Sequence, residues 1–277
     1  MPKTRLDLLL IERSLADSRA KAQALVMAGQ VRVDGQVVIK PATAVDPKVN
    51  LDVDLGPRYV SRGGDKLEAA LTAFPVTVRG RTCADVGAST GGFSDCLLQH
   101  GAAKIYAIDV GKGQLDWKLR NDPRIVVMEE TNARFVESLP EPVDLVVCDA
   151  AFISLKILLP VMKNWLLPSP RLRHPSLESG EGVRADLIAL IKPQFEAGRK
   201  ESARHKGVIR DPETHRRVLL DILSFAEANG FSVRGLLRSP VLGPKGNVEF
   251  PAWLQPGEEK ADLAALVEAV LPKEKLS

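Results

Sequence analysis

Thr82-Cys-Ala-Asp-Val-Gly-Ala-Ser-Thr-Gly-Gly-Phe-Ser-Asp95 is the stretch around which the rest of the chain falls into place. It opens as a short apolar strand, Cys83 to Val86, and breaks into a small-residue turn with Gly87, Gly91 and Gly92. It resumes as an amphipathic helix from Phe93 to Leu98. Strand, tight turn and helix in that order let backbone N–H groups approach a ligand closely. Lys104-Ile-Tyr-Ala-Ile-Asp109 reads as a second strand closing on a carboxylate. Asp109 lies roughly 20 residues past the turn, where a parallel βαβ unit aims an acid at ribose hydroxyls.

The glycines do not follow G-x-G-x-x-G, and no Lys-Ser/Thr follows to make a phosphate loop. A ligand with a ribose but no pyrophosphate fits better, and S-adenosylmethionine is one. The candidate cofactor-binding residues here are Asp85, Gly87, Ser89, Thr90, Gly91, Gly92, Phe93 and Asp109. A plain connection between strand and helix is the simpler alternative for the glycine turn alone.

At 277 residues the chain has room for one large domain and a small one. Hydrophobic residues make up 45% and charged residues 26%, enough apolar material for a sizeable core. A net charge of +3 is too mild to establish a nucleic-acid partner by itself. Cys83, Cys96 and Cys148 lack C-x-x-C spacing and sit in apolar segments. They read as reduced, buried thiols of a cytoplasmic protein. The four histidines show no ligand spacing, so no metal site is expected. No apolar run approaches the roughly 20 residues of a membrane span, and no signal-peptide layout opens the chain. No membrane association is expected.

Residues 1–57 read as a small α+β domain. Leu6, Leu9, Leu10 and Leu15 have helical spacing, and Ser18 caps a second helix through Met27. Val31 to Val38 alternates around Asp34-Gly35, a hairpin signal. Residues 1–40 carry seven Lys and Arg against four Asp and Glu. Arg19 and Lys21 start the second helix, where the helix dipole favours acids. With Arg5, Arg32 and Lys40 they mark a phosphate-facing surface, the plainer alternative being a solvated face. Arg5-Leu-Asp7, Ser18-Arg19, Gly29-Gln-Val-Arg-Val-Asp-Gly35 and Lys40-Pro41 resemble the αL RNA-binding module named after ribosomal protein S-four.

Pro41 to Pro57 reads as an extended connection with short strand character and residues 58–65 as a linker containing Arg62. The second domain then spans 66–277. Asp65 is expected to cap a helix from Lys66 to Phe74. A helix from Gly113 to Arg120 precedes a strand from Arg124 to Asn132. Asn132 could reach an adenine edge or simply start a turn. Val143-Asp-Leu-Val-Val-Cys-Asp149 is an apolar strand with Asp149 at its tip, where parallel sheets bind ligands. Phe152 to Trp165 reads as a helix bent or interrupted at Pro160. Pro168 to Arg184 has no apolar periodicity and reads as a surface insertion. Asp186 to Ile191 is a further strand with Lys192 at its end, an unusual place for a lone lysine. Arg199, Lys200, Arg204 and Lys206 lie close together in a polar loop suited to an RNA backbone, the plainer alternative being a solvated loop. A helix from Asp211 to Ala228 follows, then a strand from Val233 to Val241. Val248 to Leu254 is expected as an antiparallel edge strand beginning at Glu249, before a helix from Ala261 to Val270.

Alternating strands and helices closed by a hairpin resemble the seven-stranded S-adenosylmethionine-dependent methyltransferase fold, a Rossmann-like α/β sheet. Asp85-x-Gly87-x-x-x-Gly91-Gly92-Phe93-Ser94 resembles the FtsJ branch of ribose 2′-O-methyltransferases. That branch carries a Lys-Asp-Lys-Glu tetrad, and the resemblance implies catalytic roles for Lys66, Asp149, Lys192 and Glu249. The tetrad behind an αL module resembles the TlyA family of bacterial rRNA cytidine 2′-O-methyltransferases. Ser61-Arg62-Gly63, Phe152-Ile153-Ser154-Leu155 and Lys192-Pro-Gln-Phe-Glu196 strengthen the match. The resemblance implies S-adenosylmethionine as cofactor, rRNA within ribosomal subunits as partner, and a monomeric cytoplasmic enzyme. The chemistry suits these residue types: a ribose hydroxyl must lose its proton as it attacks a sulfonium methyl, and a neutral lysine can accept it. Three rival readings remain: an inert RNA-binding assembly factor, a membrane-active hemolysin, and a nicotinamide-dependent oxidoreductase. The four ionisable groups argue against the first, the lack of a span against the second and the missing G-x-G-x-x-G against the third.

Overall fold

Contacts within the computed structural model divide the chain into two units, Met1–Arg58 and Tyr59–Ser277. The structure describes residues 2–54, 56–166, 185–198, 201 and 207–272. The expected insertion from Pro168 to Arg184 and the basic residues Arg199, Lys200, Arg204 and Lys206 lie outside the described residues.

The first unit runs β1 (Thr4–Arg5), α1 (Leu6–Glu12), α2 (Arg19–Met27), β2 (Val31–Val33), β3 (Gln36–Val37), β4 (Ala44–Val45) and β5 (Leu51–Val53). Ser18 caps α2, its hydroxyl accepting from the Lys21 N–H at 3.2 Å. Asp34 and Gly35 both take left-handed φ, 49° and 82°, the pairing that matches a tight turn to strand twist. Leu6, Leu9 and Leu10 from α1 meet Ala22, Leu25 and Val26 from α2 in one buried cluster. The short strand character expected in Pro41 to Pro57 is present: β4 pairs with β1 and β5 pairs with β2, so the segment completes the unit's sheets.

The second unit begins with α3 (Gly63–Ala73) and continues through β6 (Thr82–Val86), α4 (Gly92–Gln99), β7 (Lys104–Ile108), α5 (Trp117–Arg120) and β8 (Ile125–Met128). Then follow β9 (Leu145–Cys148), α6 (Leu155–Trp165), β10 (Asp186–Ile191), α7 (Pro193–Glu196), α8 (Pro212–Ala228), β11 (Phe231–Leu236), β12 (Phe250–Pro256) and α9 (Leu263–Val270). The strands form one seven-stranded sheet in the order β11-β12-β10-β9-β6-β7-β8. Neighbours from β10 to β8 are parallel, and β12 runs antiparallel to both β10 and β11. The run Leu145-Val-Val-Cys148 is apolar throughout because helices cover both faces. Leu145 and Val147 join Leu67, Phe93 and Leu97 on one face; Val146 and Cys148 join Leu158, Met162 and Leu219 on the other. Among the described residues no helix is long and apolar enough to cross a membrane.

Three expectations about local structure are corrected. The helix expected to start at Asp65 starts at Gly63, and Asp65 lies in its first turn. The helix expected from Gly113 shrinks to Trp117–Arg120, because the N–H groups of Gly113, Gln114 and Leu115 donate to the Glu129 carboxylate instead. Those bonds, with the Arg120 guanidinium, hold Glu129 down to about 2. The last strand begins at Phe250 and is internal, flanked by β10 and β11, despite Pro251. The Pro251 carbonyl accepts from Leu237 N, just past the end of β11, so its missing N–H falls where that ladder has already stopped.

Candidate active site

From β6 the chain winds outward through β7 and β8, then crosses back to lay β9 and β10 on the opposite side. The reversal falls between β6 and β9, and the crevice beyond such strand ends is where open α/β sheets bind ligands. Gly87 follows β6 with φ +83°, and a Cβ there would lie 2.9 Å from Ala150 Cα and 3.1 Å from the Asp149 carbonyl carbon. Only glycine lets the two strand ends approach this closely. At Gly92 a Cβ would lie 2.3 Å from Ser61 Oγ and 2.8 Å from Gly64 N, so the starts of α3 and α4 close one wall.

Between these walls lies a cavity of about 260 Å³. Its lining includes Gly87, Ser89, Thr90, Gly92, Phe93 and Asp149 from the expected cofactor set, together with Lys66 and Arg62. The remaining candidates are placed otherwise. Asp85 is fully buried, accepts from Ser94 Oγ at 2.7 Å and leaves Oδ1 without a partner; burial pushes its carboxyl up to about 7. It ties β6 to α4 beneath the cavity. Gly91 is the residue before α4. Asp109, at the tip of β7, accepts from Ser89 N at 2.9 Å and Gly111 N at 2.7 Å. A carboxylate has about four acceptor sites, so capacity is left for ribose hydroxyls. Asn132 caps the short turn Ala133–Phe135 through its side-chain oxygen, the turn-starting alternative, which leaves its NH₂ group for an adenine edge.

Lys66, Asp149, Lys192 and Glu249, spread over 183 residues, converge at the cavity's edge. Lys66 Nζ lies 2.5 Å from Glu249 Oε2 and 3.7 Å from Asp149 Oδ2. Lys192 Nζ lies 2.5 Å from Asp149 Oδ1, at angles outside hydrogen-bond geometry, and donates to the Asp149 carbonyl at 3.0 Å. Glu249 is wholly buried and Lys66 and Lys192 are each 7% exposed. Two cations and two anions thus interleave in a chain, Lys192–Asp149–Lys66–Glu249. Such a buried set persists because each charge has an opposite neighbour.

Residues quoted above only for the family resemblance, with no role given them, hold this chain in place. Gln194 donates to Glu249 Oε1 at 3.2 Å. Glu196 accepts from Ser154 Oγ at 2.6 Å and Leu155 N at 2.8 Å, pinning the loop after Asp149 to the helix after Lys192; burial raises its carboxyl. Phe152 stands on that loop, 90% exposed, with φ 64° and its ring 4.9 Å from Phe195. An aromatic ring left in water on left-handed backbone is a costly arrangement, and such sites are usually held for a ligand. The local signal was an aromatic three residues after the strand tip at Asp149.

In the first unit, Asp7 is fully buried and receives both prongs of Arg5, at 3.0 and 2.9 Å, with Arg19 at 3.3 Å and Gln23 at 3.0 Å. The Arg5 guanidinium holds the Asp7 carboxyl far below the usual range. Arg5 and Arg19, expected to face phosphate, are therefore committed first to packing α1 against α2. Arg32 donates to Gly35 O at 3.4 Å across the hairpin turn. Lys21 and Lys40 are exposed.

Residues 59–255 match the family described as FtsJ-like methyltransferase, and residues 4–50 match the S4 domain. The "Putative rRNA methyltransferase YqxC" of Bacillus subtilis is 47% identical over 264 residues, covering 92% of this chain and 87% of that one. The "16S/23S rRNA (cytidine-2'-O)-methyltransferase TlyA" of Mycobacterium tuberculosis is 44% identical over 263 residues, covering 94% and 92%. A solved structure, "Putative hemolysin from Streptococcus thermophilus", superposes with a TM-score of 0.68 at 38% identity, covering 97% of this chain and 96% of that one.

Proposed function

The chain belongs to the FtsJ-like methyltransferase family, and from that premise we propose that it methylates the ribose 2′-hydroxyl of a cytidine in ribosomal RNA, using S-adenosylmethionine. The observation that carries the reading is the convergence of Lys66, Asp149, Lys192 and Glu249 beside the glycine-walled cavity. The cavity suits this cofactor. The Gly87 turn is a cradle that a Cβ would fill, Ser89 and Thr90 offer hydroxyls, and Asp109 keeps acceptor capacity for a ribose. When bound, S-adenosylmethionine supplies an electrophilic methyl on a sulfonium.

The chain's own residues then do the positioning. Lys192, as the neutral amine, would hold the attacking 2′-hydroxyl and take its proton, becoming the ammonium as the methyl is transferred. Asp149 fixes the Lys192 ammonium through both its carboxylate and its carbonyl. Glu249, braced by Gln194, fixes Lys66 on the other side. Orientation contributes up to about 7–11 kcal/mol, whereas general base catalysis contributes about 10²–10⁴-fold, so alignment is the larger share. The exposed Phe152 ring, packed against the partly buried Phe195, gives a base turned out of its stack an aromatic face beside the reacting group.

The S4 domain supplies the RNA grip, with Lys21, Arg32 and Lys40 toward phosphates. We assign the substrate to assembled ribosomal subunits and the enzyme to the cytoplasm as a monomer. The test is labelled methyl transfer to each purified subunit and to naked rRNA, with mapping of 2′-O-methylated positions. Label on a cytidine ribose is the expected result; label on a base, or none on any RNA, overturns it.

A further inference from the structure

A second cluster of reactive side chains lies in the same unit and has no part in methyl transfer. Glu68 on α3, Cys96 on α4 and His100 at the end of α4 bring a carboxylate oxygen, a sulfur and an imidazole nitrogen within 4.8 Å of one another. His100 Nε2 lies 2.6 Å from Glu68 Oε2, and Cys96 Sγ lies 3.8 Å from that oxygen. The Tyr59 hydroxyl donates to Glu68 Oε2 at 2.8 Å and also meets the Cys96 sulfur. Cys96 is fully buried, whereas His100 and Glu68 are half-buried, so the cluster has a closed floor and an open side. Cys96 and His100 stand four residues apart, which puts both on one face of α4, and Glu68 reaches them from the neighbouring helix. That is a chelating spacing which a search for C-x-x-C or paired histidines overlooks.

We propose that Glu68, Cys96 and His100 bind one Zn²⁺-class transition-metal ion, with the Tyr59 hydroxyl or solvent in the fourth position. Sulfur, imidazole and a single carboxylate are the donors such ions favour, and Mg²⁺ or Ca²⁺ would not choose a thiol. Bonds of about 2.3 Å to sulfur and about 2.0–2.2 Å to nitrogen and oxygen place tetrahedral ligand atoms roughly 3.3–3.8 Å apart. The Cys96–Glu68 separation of 3.8 Å already meets this. The His100–Glu68 pair opens by less than about 1 Å, a rotation available to two partly exposed side chains. On binding, the Cys96 thiol gives its proton to solvent and the sulfur coordinates as thiolate. The ion would cross-link α3 to α4. Lys66 stands two residues before Glu68, and the first turn of α4 lines the cavity, so the clamp would brace the wall that carries Lys66.

The test uses chelator-treated full-length protein titrated with Co²⁺, whose tetrahedral thiolate complexes have a sulfur-to-metal absorption band. The expected result is a band saturating at one equivalent and displaced by Zn²⁺. It is abolished in Cys96→Ser and at least tenfold weaker in affinity in His100→Ala. Zn²⁺ also raises the melting temperature of the wild type and of neither variant. Circular dichroism checks folding; should Cys96→Ser fail to fold, the half-exposed His100→Ala carries the comparison. No thiolate band at one equivalent overturns the proposal and leaves Tyr59, Glu68 and His100 as a hydrogen-bond network. A band that survives unchanged in the variants also overturns it, as an adventitious ion only.

Discussion

Replacing Glu249 by Gln removes one charge from the buried centre while keeping its shape, and the structure sets the size of the effect. Glu249 is fully buried, with Oε2 2.5 Å from Lys66 Nζ and Oε1 3.2 Å from Gln194 Nε2. The substitution leaves the Lys66 ammonium, 7% exposed, without its nearest counter-ion. Breaking a buried pair by removing one partner costs about 3–5 kcal/mol. Asp149 Oδ2 remains 3.7 Å from Nζ, and the new amide oxygen can still accept from Gln194. The expected loss is therefore about 2–3 kcal/mol, below that range. In urea unfolding the transition of the second unit should move down by about 1 M, with its slope unchanged. The double variant Lys66→Met with Glu249→Leu removes both charges at once and should regain most of the loss, because well-packed apolar groups replace a buried pair at little cost. It should remain inactive in methyl transfer. A Glu249→Gln protein within about 0.5 kcal/mol of wild type would refute the argument that this pair is sequestered from water.

Further outcomes follow from other parts of the molecule. Gly87→Ala puts a Cβ 2.9 Å from the Ala150 backbone at φ +83°; strain and overpacking together cost about 2–5 kcal/mol, and calorimetry should find S-adenosylmethionine affinity reduced. Unchanged affinity would mean that the Gly87–Ala150 contact is no wall of the cofactor site. Asp85 ionises near 7 when folded against an ordinary 3.8, so the folded chain holds a proton that the unfolded chain has released. Its stabilising contribution is full below pH ~4, falls as pH rises toward ~7 and is gone above, a span of about 4 kcal/mol. Asp85→Asn should flatten that slope in urea unfolding from pH 4 to 8; parallel curves would count against a protonated Asp85. Lys21→Gln and Lys40→Gln should each weaken rRNA binding and lower its salt slope by about 1. Arg5→Gln should instead lower the melting temperature of the first unit, because Arg5 grips Asp7.

Where local chemistry and tertiary packing agree, the sequence was enough. Ser18 caps α2, Asp34-Gly35 turns the hairpin that follows it, and Asp211 caps α8 ahead of Pro212, each through contacts made within a few residues. Asp149 and Lys192 were legible as strand-tip charges because β9, and β10 after Asp186, are apolar up to those tips. The rest depended on partners far along the chain. Gly63 and Gly64 look like helix breakers, yet they open α3, and at Gly64 the Tyr59 ring leaves no room for a side chain. Pro251 looks like the mark of an edge strand, but the edge belongs to β11, which ends before the proline's missing donor is needed. Arg5 and Arg19 look like free cations until α1 and α2 close around Asp7. Phe152 reads as a helix start, and only its 90% exposure marks it as a surface.

The most direct measurement is methyl transfer from labelled S-adenosylmethionine to purified ribosomal subunits by wild type and Lys192→Ala, alongside calorimetric cofactor binding by both. If Lys192 takes the hydroxyl proton, the variant binds the cofactor normally and transfers methyl at least about 10²-fold more slowly. A variant that binds normally and labels rRNA at the wild-type rate would contradict the account.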